Sequence, residues 1–183
     1  SGPATFRSED LIFGEFNQTE VEICDFSAFN MSLKEKSVKA LGAQNFQGIL
    51  FKATFPKELA HWVYVCDKKE AGLRKEGEIA LMDNPSFNRY FDVFTEDQIL
   101  ARYALSPKLM ERFCGLKEKF NCPISMVLRN REVIIALNLG KNSFEPSFEK
   151  SLLEDNTIRD YISSIKGFTD MVKELGLNNH IWK

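Results

Sequence analysis

The order of hydrophobic patterns along the chain predicts an α+β fold: a largely antiparallel sheet or sheets, two short central helices and a C-terminal amphipathic helix. Three observations predict it. Short runs of β-branched and aromatic residues recur from Leu11 to Met82. Two capped helical patterns then stand side by side between Thr95 and Phe120. A strand pair and one long helical pattern close the chain, so strands and helices do not alternate as βαβ units would.

The elements follow in order. Residues 11–30 place Phe16, Val21, Ile23, Phe26 and Phe29 in partial alternation, which reads as one long strand or as a hairpin turning near Asn17. Residues 31–45, with Lys34, Glu35, Lys36 and Lys39, read as a mobile loop. Phe46 to Phe55 is a strand with Phe46, Ile49, Phe51, Ala53 and Phe55 mostly on one face, stopped by Pro56. Trp62 to Cys66 and Ile79 to Met82 are two further strands. The charged stretch from Asp67 to Glu78, with Gly72 and Gly77, is a turn or loop.

Thr95-Glu96-Asp97-Gln98 has the form of a capping box, with Phe94 and Ile99 as its hydrophobic staple and a short helix to about Ala104. Ser106 caps a second helix that has Pro107 at its first position and Leu109, Met110, Phe113, Leu116 and Phe120 on its apolar face. Pro123 ends it. The runs from Ile124 to Leu128 and from Glu132 to Leu139 flank Arg129-Asn130-Arg131, a hairpin, because Asn tolerates the positive φ of a tight turn. After a linker with Pro146, a helix runs from about Thr157 to Leu175. Its apolar positions Ile158, Tyr161, Ile162, Ile165, Phe168, Val172 and Leu175 keep helical spacing, and Gly176-Leu177 forms a Schellman-type stop.

Composition sets the outer bounds. The 183 residues fit one domain, taken as 9–183, behind a tag remnant and linker over 1–8 that begins Ser1-Gly2-Pro3-Ala4. A content of 44% hydrophobic and 27% charged residues is ordinary for a globular protein and argues against disorder. A net charge of −2 and a pI near 5.8 give no general reason to expect nucleic acid. No apolar run is long enough to span a bilayer. Cys24, Cys66, Cys114 and Cys122 show neither C-x-x-C nor zinc-ligand spacing and read as buried or idle thiols in a reducing compartment, with a Cys114–Cys122 disulfide left open. The sequons at Asn17-Gln18-Thr19 and Asn30-Met31-Ser32 matter only in a secreted eukaryotic chain.

The central stretch runs Phe87-Asn88-Arg89-Tyr90-Phe91-Asp92-Val93-Phe94-Thr95-Glu96-Asp97-Gln98. It continues through Ala101-Arg102-Tyr103-Ala104-Leu105-Ser106-Pro107 to Met110-Glu111-Arg112. This resembles a bacterial membrane-associated family built on a domain of unknown function, which often carries the automatic label "galanin". The family's pattern is F-x-x-x-F-x-V, an acidic dipeptide, A-R-Y-x-L-[ST]-P and then M-E-R. Asp10-Leu11-Ile12-Phe13-Gly14 and Phe46-Gln47-Gly48-Ile49-Leu50-Phe51 are similar too, so the resemblance covers about 9–150. Phe94 stands where the family commonly has Tyr, and the chain diverges after residue 150. The resemblance implies membrane association, with apolar segments ahead of this domain, and it supplies no activity or catalytic residues; a domain facing the cytoplasm is the further expectation. The same residues also suit a structural role: Phe87, Phe91, Val93, Ile99, Tyr103, Leu105, Leu109 and Met110 are what a core would choose.

Chemistry is sparse. There are two histidines, His61 and His180, and the glycines never cluster into a phosphate-cradling loop. No cofactor or metal is expected. Asp92, Glu96 and Asp97 form an acidic cluster that, with His61 or Cys114, is the alternative enzyme reading, a hydrolase or transferase. Glu96 and Asp97 also suit a helix's first turn, where they complement its dipole. Charge is polarised along the chain. Residues 1–33 hold Arg7 against Glu9, Asp10, Glu15, Glu20, Glu22 and Asp25, whereas 102–131 hold seven basic residues against Glu111 and Glu118. Arg102, Lys108, Arg112, Lys117, Arg129 and Arg131 are therefore the candidates for anionic contacts. The leading expectation is a non-catalytic interaction module whose partner is a membrane-associated protein or an anionic lipid surface.

Overall fold

The computed structural model describes residues 4–16, 19–30, 43–55, 58–69, 77–140 and 156–177. Its strands are β1 (Ala4–Phe16), β2 (Thr19–Asn30), β3 (Ala43–Thr54), β4 (Val63–Asp67), β5 (Glu78–Ala80), β6 (Phe91–Thr95), β7 (Ile124–Arg129) and β8 (Glu132–Asn138). They form one sheet in the order β1-β2-β3-β8-β7-β4-β6-β5. Every neighbouring pair is antiparallel. The helices are α1 (Pro85–Tyr90), α2 (Gln98–Ala104), α3 (Pro107–Phe120) and α4 (Asn156–Leu177).

This corrects the expected α+β layout with two short central helices. The described residues form a sheet-dominated fold with four helices, and α3 is 14 residues long. Two elements were not anticipated, α1 and β6. Asn84 caps α1 by accepting the Phe87 amide at 3.0 Å, and Pro85 supplies the preset φ of a first helical position. Phe87 and Phe91 are spaced for one helix face, but α1 ends before Phe91, which opens β6. The residues matched to the family pattern thus cross a helix-to-strand boundary that apolar spacing alone does not mark.

β1 and β2 are the two arms of the hairpin, whose turn at residues 17–18 lies outside the described residues, as do residues 31–42 of the loop expected over 31–45, Pro56, the stretch 70–76, the Pro146 linker and the tail with His180; residues 43–45 of that expected loop belong instead to β3. Along β3 and β8 alternate residues are buried, as the two-residue period of a strand requires, whereas β7 opens with Ile124, Ser125 and Met126 all buried. Ile49, Phe51, Ala53, Met126, Leu128 and Ile135 point to the face that the helices cover. Phe168 of α4 stacks on Phe51 at 4.7 Å, and Phe113 of α3 meets the edge of Phe91 at 5.6 Å. Fully burying each such ring stabilises by about 1.5–3 kcal/mol, which holds α3 and α4 to the sheet. Between β3 and β8 the backbones come so close at Gly48 that a Cβ there would lie 2.0 Å from the Leu137 carbonyl oxygen.

The caps around the centre are partly as expected. Ser106 accepts the Leu109 amide at 3.2 Å, Pro107 opens α3, and Asn130 turns the β7–β8 hairpin at φ 55°. The expected capping box is corrected. Thr95 belongs to β6; its hydroxyl donates to the Trp62 carbonyl and accepts the Asp97 amide, each at 3.0 Å, and Asp97 is the cap of α2, accepting the Ile99 and Leu100 amides at 2.9 and 3.0 Å. The staple does not form, because Phe94 is buried in the sheet while Ile99 faces solvent. In α4, Gly176 falls inside the last turn and the helix runs on to Leu177.

Candidate functional site

The six basic candidates do not form one face. Lys108 and Arg112, one turn apart on α3, meet α4: Lys108 pairs with Glu174 at 3.0 Å and Arg112 with Asp170 at 3.0 Å. Lys117, a turn and a half beyond Arg112, is buried and ion-paired with Asp67. Its ammonium also donates to the Cys122 carbonyl at 2.8 Å. Arg131 reaches back to donate from Nε to the Phe55 carbonyl at 3.0 Å. Arg102 on α2 and Arg129 at the end of β7 are exposed. Intramolecular acids therefore take up the basic face of α3, and Arg102 and Arg129 are left facing water.

The acidic candidates separate in the same way. Asp92 pairs with Lys68 at 3.4 Å near the start of β6. Asp97 lies past the other end of that strand, committed to the α2 amides. Three residues of extended chain alone set Asp92 and Thr95 about 10 Å apart. Glu96 meets the His61 ring at 3.4 Å on the surface. Cys114 sits in the core on α3, where burial first, and then Glu118 and Glu111, push its thiol up from the ordinary value. A thiol held protonated in this way is a poor nucleophile. Glu96 and His61 thus meet at the surface, while Asp92 lies at the far end of β6 and the Cys114 thiol in the core, so the proposed nucleophile is not brought to the histidine–acid pair. Among the described residues no group of three or more His, Cys, Asp or Glu could hold a metal ion, and all four cysteines are free thiols.

A different feature gathers at the β5 end of the sheet. Ile79 of β5 and Leu81 just after it are exposed, Leu81 by 71%. α2 packs beside β5. It lays its two alanines, Ala101 and Ala104, against the core and turns Ile99 (68% exposed), Arg102 and Tyr103 (57% exposed) outward. Positions 99, 102 and 103 share one side of a helix. Sequence reasoning had assigned Ile99 and Tyr103 to the core. The signal that separates them is the pair of small residues three apart, which lets a short helix lie close on a sheet and leaves the large ones outside.

The arrangement defines a class: an antiparallel sheet with helices packed against it and apolar and charged side chains exposed at its two edges. A family model described as protein of unknown function (DUF3137) matches residues 44–177, and the chain belongs to that family. This supports the expected domain of unknown function; the particular signature and the label "galanin" are not confirmed by it. No curated protein matches. Among solved structures, the mycobacterial trehalose monomycolate transport factor A, TtfA, is similar over 90% of this chain and 72% of that chain, at 14% identity and a TM-score of 0.45. A likeness that loose carries no argument about function.

Proposed function

We propose that this chain is a non-catalytic interaction module of a membrane-associated bacterial protein, and that it rests on an anionic lipid surface through the β5 end of its sheet. The supporting observation is the outward face of α2 together with β5: Ile79, Leu81, Ile99 and Tyr103 are exposed, and α2 also presents Arg102 to solvent. Apolar side chains that enter the headgroup boundary, an aromatic with a polar end and a guanidinium for lipid phosphate are the ingredients of interfacial binding. The domain would face the cytoplasm, where the leaflet is negatively charged. Among the described residues no helix is long and apolar enough to cross a membrane, so in this reading the contact is peripheral.

The test is co-flotation of the chain with vesicles of neutral phosphatidylcholine, with and without anionic phosphatidylglycerol. Binding is expected to need the anionic lipid and to weaken with salt. Each Lys or Arg near such a surface contributes about 1 kcal/mol, so Arg102→Glu should lower affinity by roughly fivefold or more. Ile99→Ser with Tyr103→Ser should weaken binding at unchanged melting temperature, since neither side chain is in the core. Equal flotation of Arg102→Glu and the parent chain, or no flotation with either lipid, overturns the assignment.

A further inference from the structure

The opposite edge of the sheet has a different chemistry. β1 is its outermost strand, paired with β2 on one side only. It is 13 residues long, about 40 Å of extended chain. From Phe6 to Glu15 every residue except half-buried Glu9 is exposed, with Phe13 at 81% and Phe6 at 65%. Among the described residues, β2 is the strand that pairs with it. In an antiparallel ladder alternate residues turn their N–H and C=O groups away from the paired neighbour, so a long outer strand presents a row of unused donors and acceptors.

Natural edges of this length are usually blunted by charged side chains, proline, β-bulges or short strands; β1 has charges and one bulge near Glu9, beyond which Ile12–Phe16 pairs regularly with β2. β1 has no lysine and no proline. Its charges are Arg7, Glu9, Asp10 and Glu15, and β2 adds Glu20, Glu22 and Asp25. Arg7 is already paired with Glu9 at 2.5 Å. Asp25 is buried and Glu22 is paired with Lys52, so the acids this edge offers to solvent are Asp10, Glu15 and Glu20, and the exposed side chains between them include Leu11, Ile12 and Phe13.

We propose that the free edge of β1 is a strand-addition site for an extended, positively charged segment of another polypeptide. Backbone pairing would supply affinity, the acids would select lysine or arginine, and Phe13 and its apolar neighbours would take the alternate side chains. An anionic bilayer does not fit this edge, because the acids would be repelled and the unpaired backbone groups would lose water without gaining partners. A second copy of this chain fits poorly as well. β1 carries a bulge between Glu9 and Ile12, with Asp10 at φ 51°. Full-length antiparallel pairing of two β1 strands would set two such irregularities close together and bring acidic strands side by side. A partner strand lying along Ile12–Phe16 avoids the bulge.

The test uses a fluorescent ten-residue peptide of alternating Lys and Val, the same peptide with Glu for Lys, and the Lys peptide with alternate backbone nitrogens methylated, each titrated with the chain by fluorescence anisotropy. The Lys peptide is expected to bind at least tenfold more tightly than the Glu peptide, and backbone methylation, which removes the ladder donors while keeping the charge, should weaken it tenfold or more. Glu9→Lys with Glu15→Lys should reverse the preference between the two charged peptides. Equal binding by the methylated peptide would reduce the site to charge alone and overturn strand addition, and so would failure of the Lys peptide to bind. Dimerisation of the chain in sedimentation equilibrium that is lost in the Glu9→Lys, Glu15→Lys variant would give the edge to a second copy and overturn the proposal too. Arg102→Glu should leave peptide binding unchanged, so this proposal and the lipid-surface reading fail separately.

Discussion

Asp67 shows how much one side chain can organise. It ends β4, and its carboxylate accepts the Lys69 amide at 2.9 Å, the Ile124 amide at 3.1 Å and the Lys117 ammonium. One buried acid therefore ties the end of β4 to the end of α3 and the start of β7. Removing one member of a buried pair strands the other charge, so Lys117→Met should lower unfolding stability by about 3–5 kcal/mol, read from urea titration. Adding Asp67→Asn should recover part of that loss, because the uncompensated charge goes while an amide-accepting oxygen stays. Lys52 is the surface counterpart, set between Glu22 at 3.1 Å and Glu132 at 3.2 Å. The hydrogen bond to Glu22 first, and the one to Glu132 next, hold its ammonium above the ordinary 10.5. The folded value lies above the unfolded one, so the stabilisation is full below about pH 10 and disappears as pH rises through the folded value. The side chain is partly exposed and solvent screens the pair, which keeps the effect under about 1 kcal/mol. Lys52→Met should therefore narrow the stability difference between pH 9 and pH 12, measured by denaturant midpoint.

At the scale of elements, two contacts decide how the pieces meet. α3 and α4 run antiparallel, with Lys108 opposite Glu174, Arg112 opposite Asp170, and Leu116 against Gly167, where a Cβ would sit 3.0 Å from Leu116 Cδ2. The basic stripe that looks like a ligand surface in the sequence is a seam between helices. Its positions are four apart because that spacing keeps side chains on one helix face, and the same spacing serves a partner helix or a ligand equally well. β3 and β8 meet at Gly48 through backbone alone. A methyl group placed 2.0 Å from the Leu137 oxygen must push the strands apart, so Gly48→Ala should destabilise by about 1–3 kcal/mol or more, visible as a lower thermal midpoint. The neighbouring Gln47 carbonyl accepts the Leu139 and Gly140 amides at 2.9 Å each, and these bonds should be the first to lose protection in hydrogen exchange of that variant.

Over the whole molecule, the two edges of one sheet differ in length, 13 residues in β1 against three in β5. The β1 edge is acidic and extended; the β5 end is short and carries α2 with its arginine. Much of the fold was legible from local pattern. Alternation marked β3, two apolar runs about Asn130 marked the β7–β8 hairpin, Ser106-Pro107 marked the start of α3, and helical spacing marked α4 to within two residues at its C-terminal end. The site was far less legible. Six basic residues counted along the chain look alike, yet Lys117 is buried against Asp67, 50 positions away. Asp92, Glu96 and Asp97 look like one cluster in sequence and divide between the two ends of β6.

By itself the sequence determined the local conformations: where strands alternate, where Ser, Asn and Pro begin or end a helix, and where a turn needs positive φ. These follow from sterics and hydrogen bonding within a few residues. The tertiary structure alone decided that β3 pairs with β8, that β6 inserts between β4 and β5, and which of the charged and aromatic residues face water. Pairing and exposure depend on partners tens of residues distant. The free energy of burying Phe51 against Phe168, or of neutralising Lys117 with Asp67, exists only once those distant segments have met.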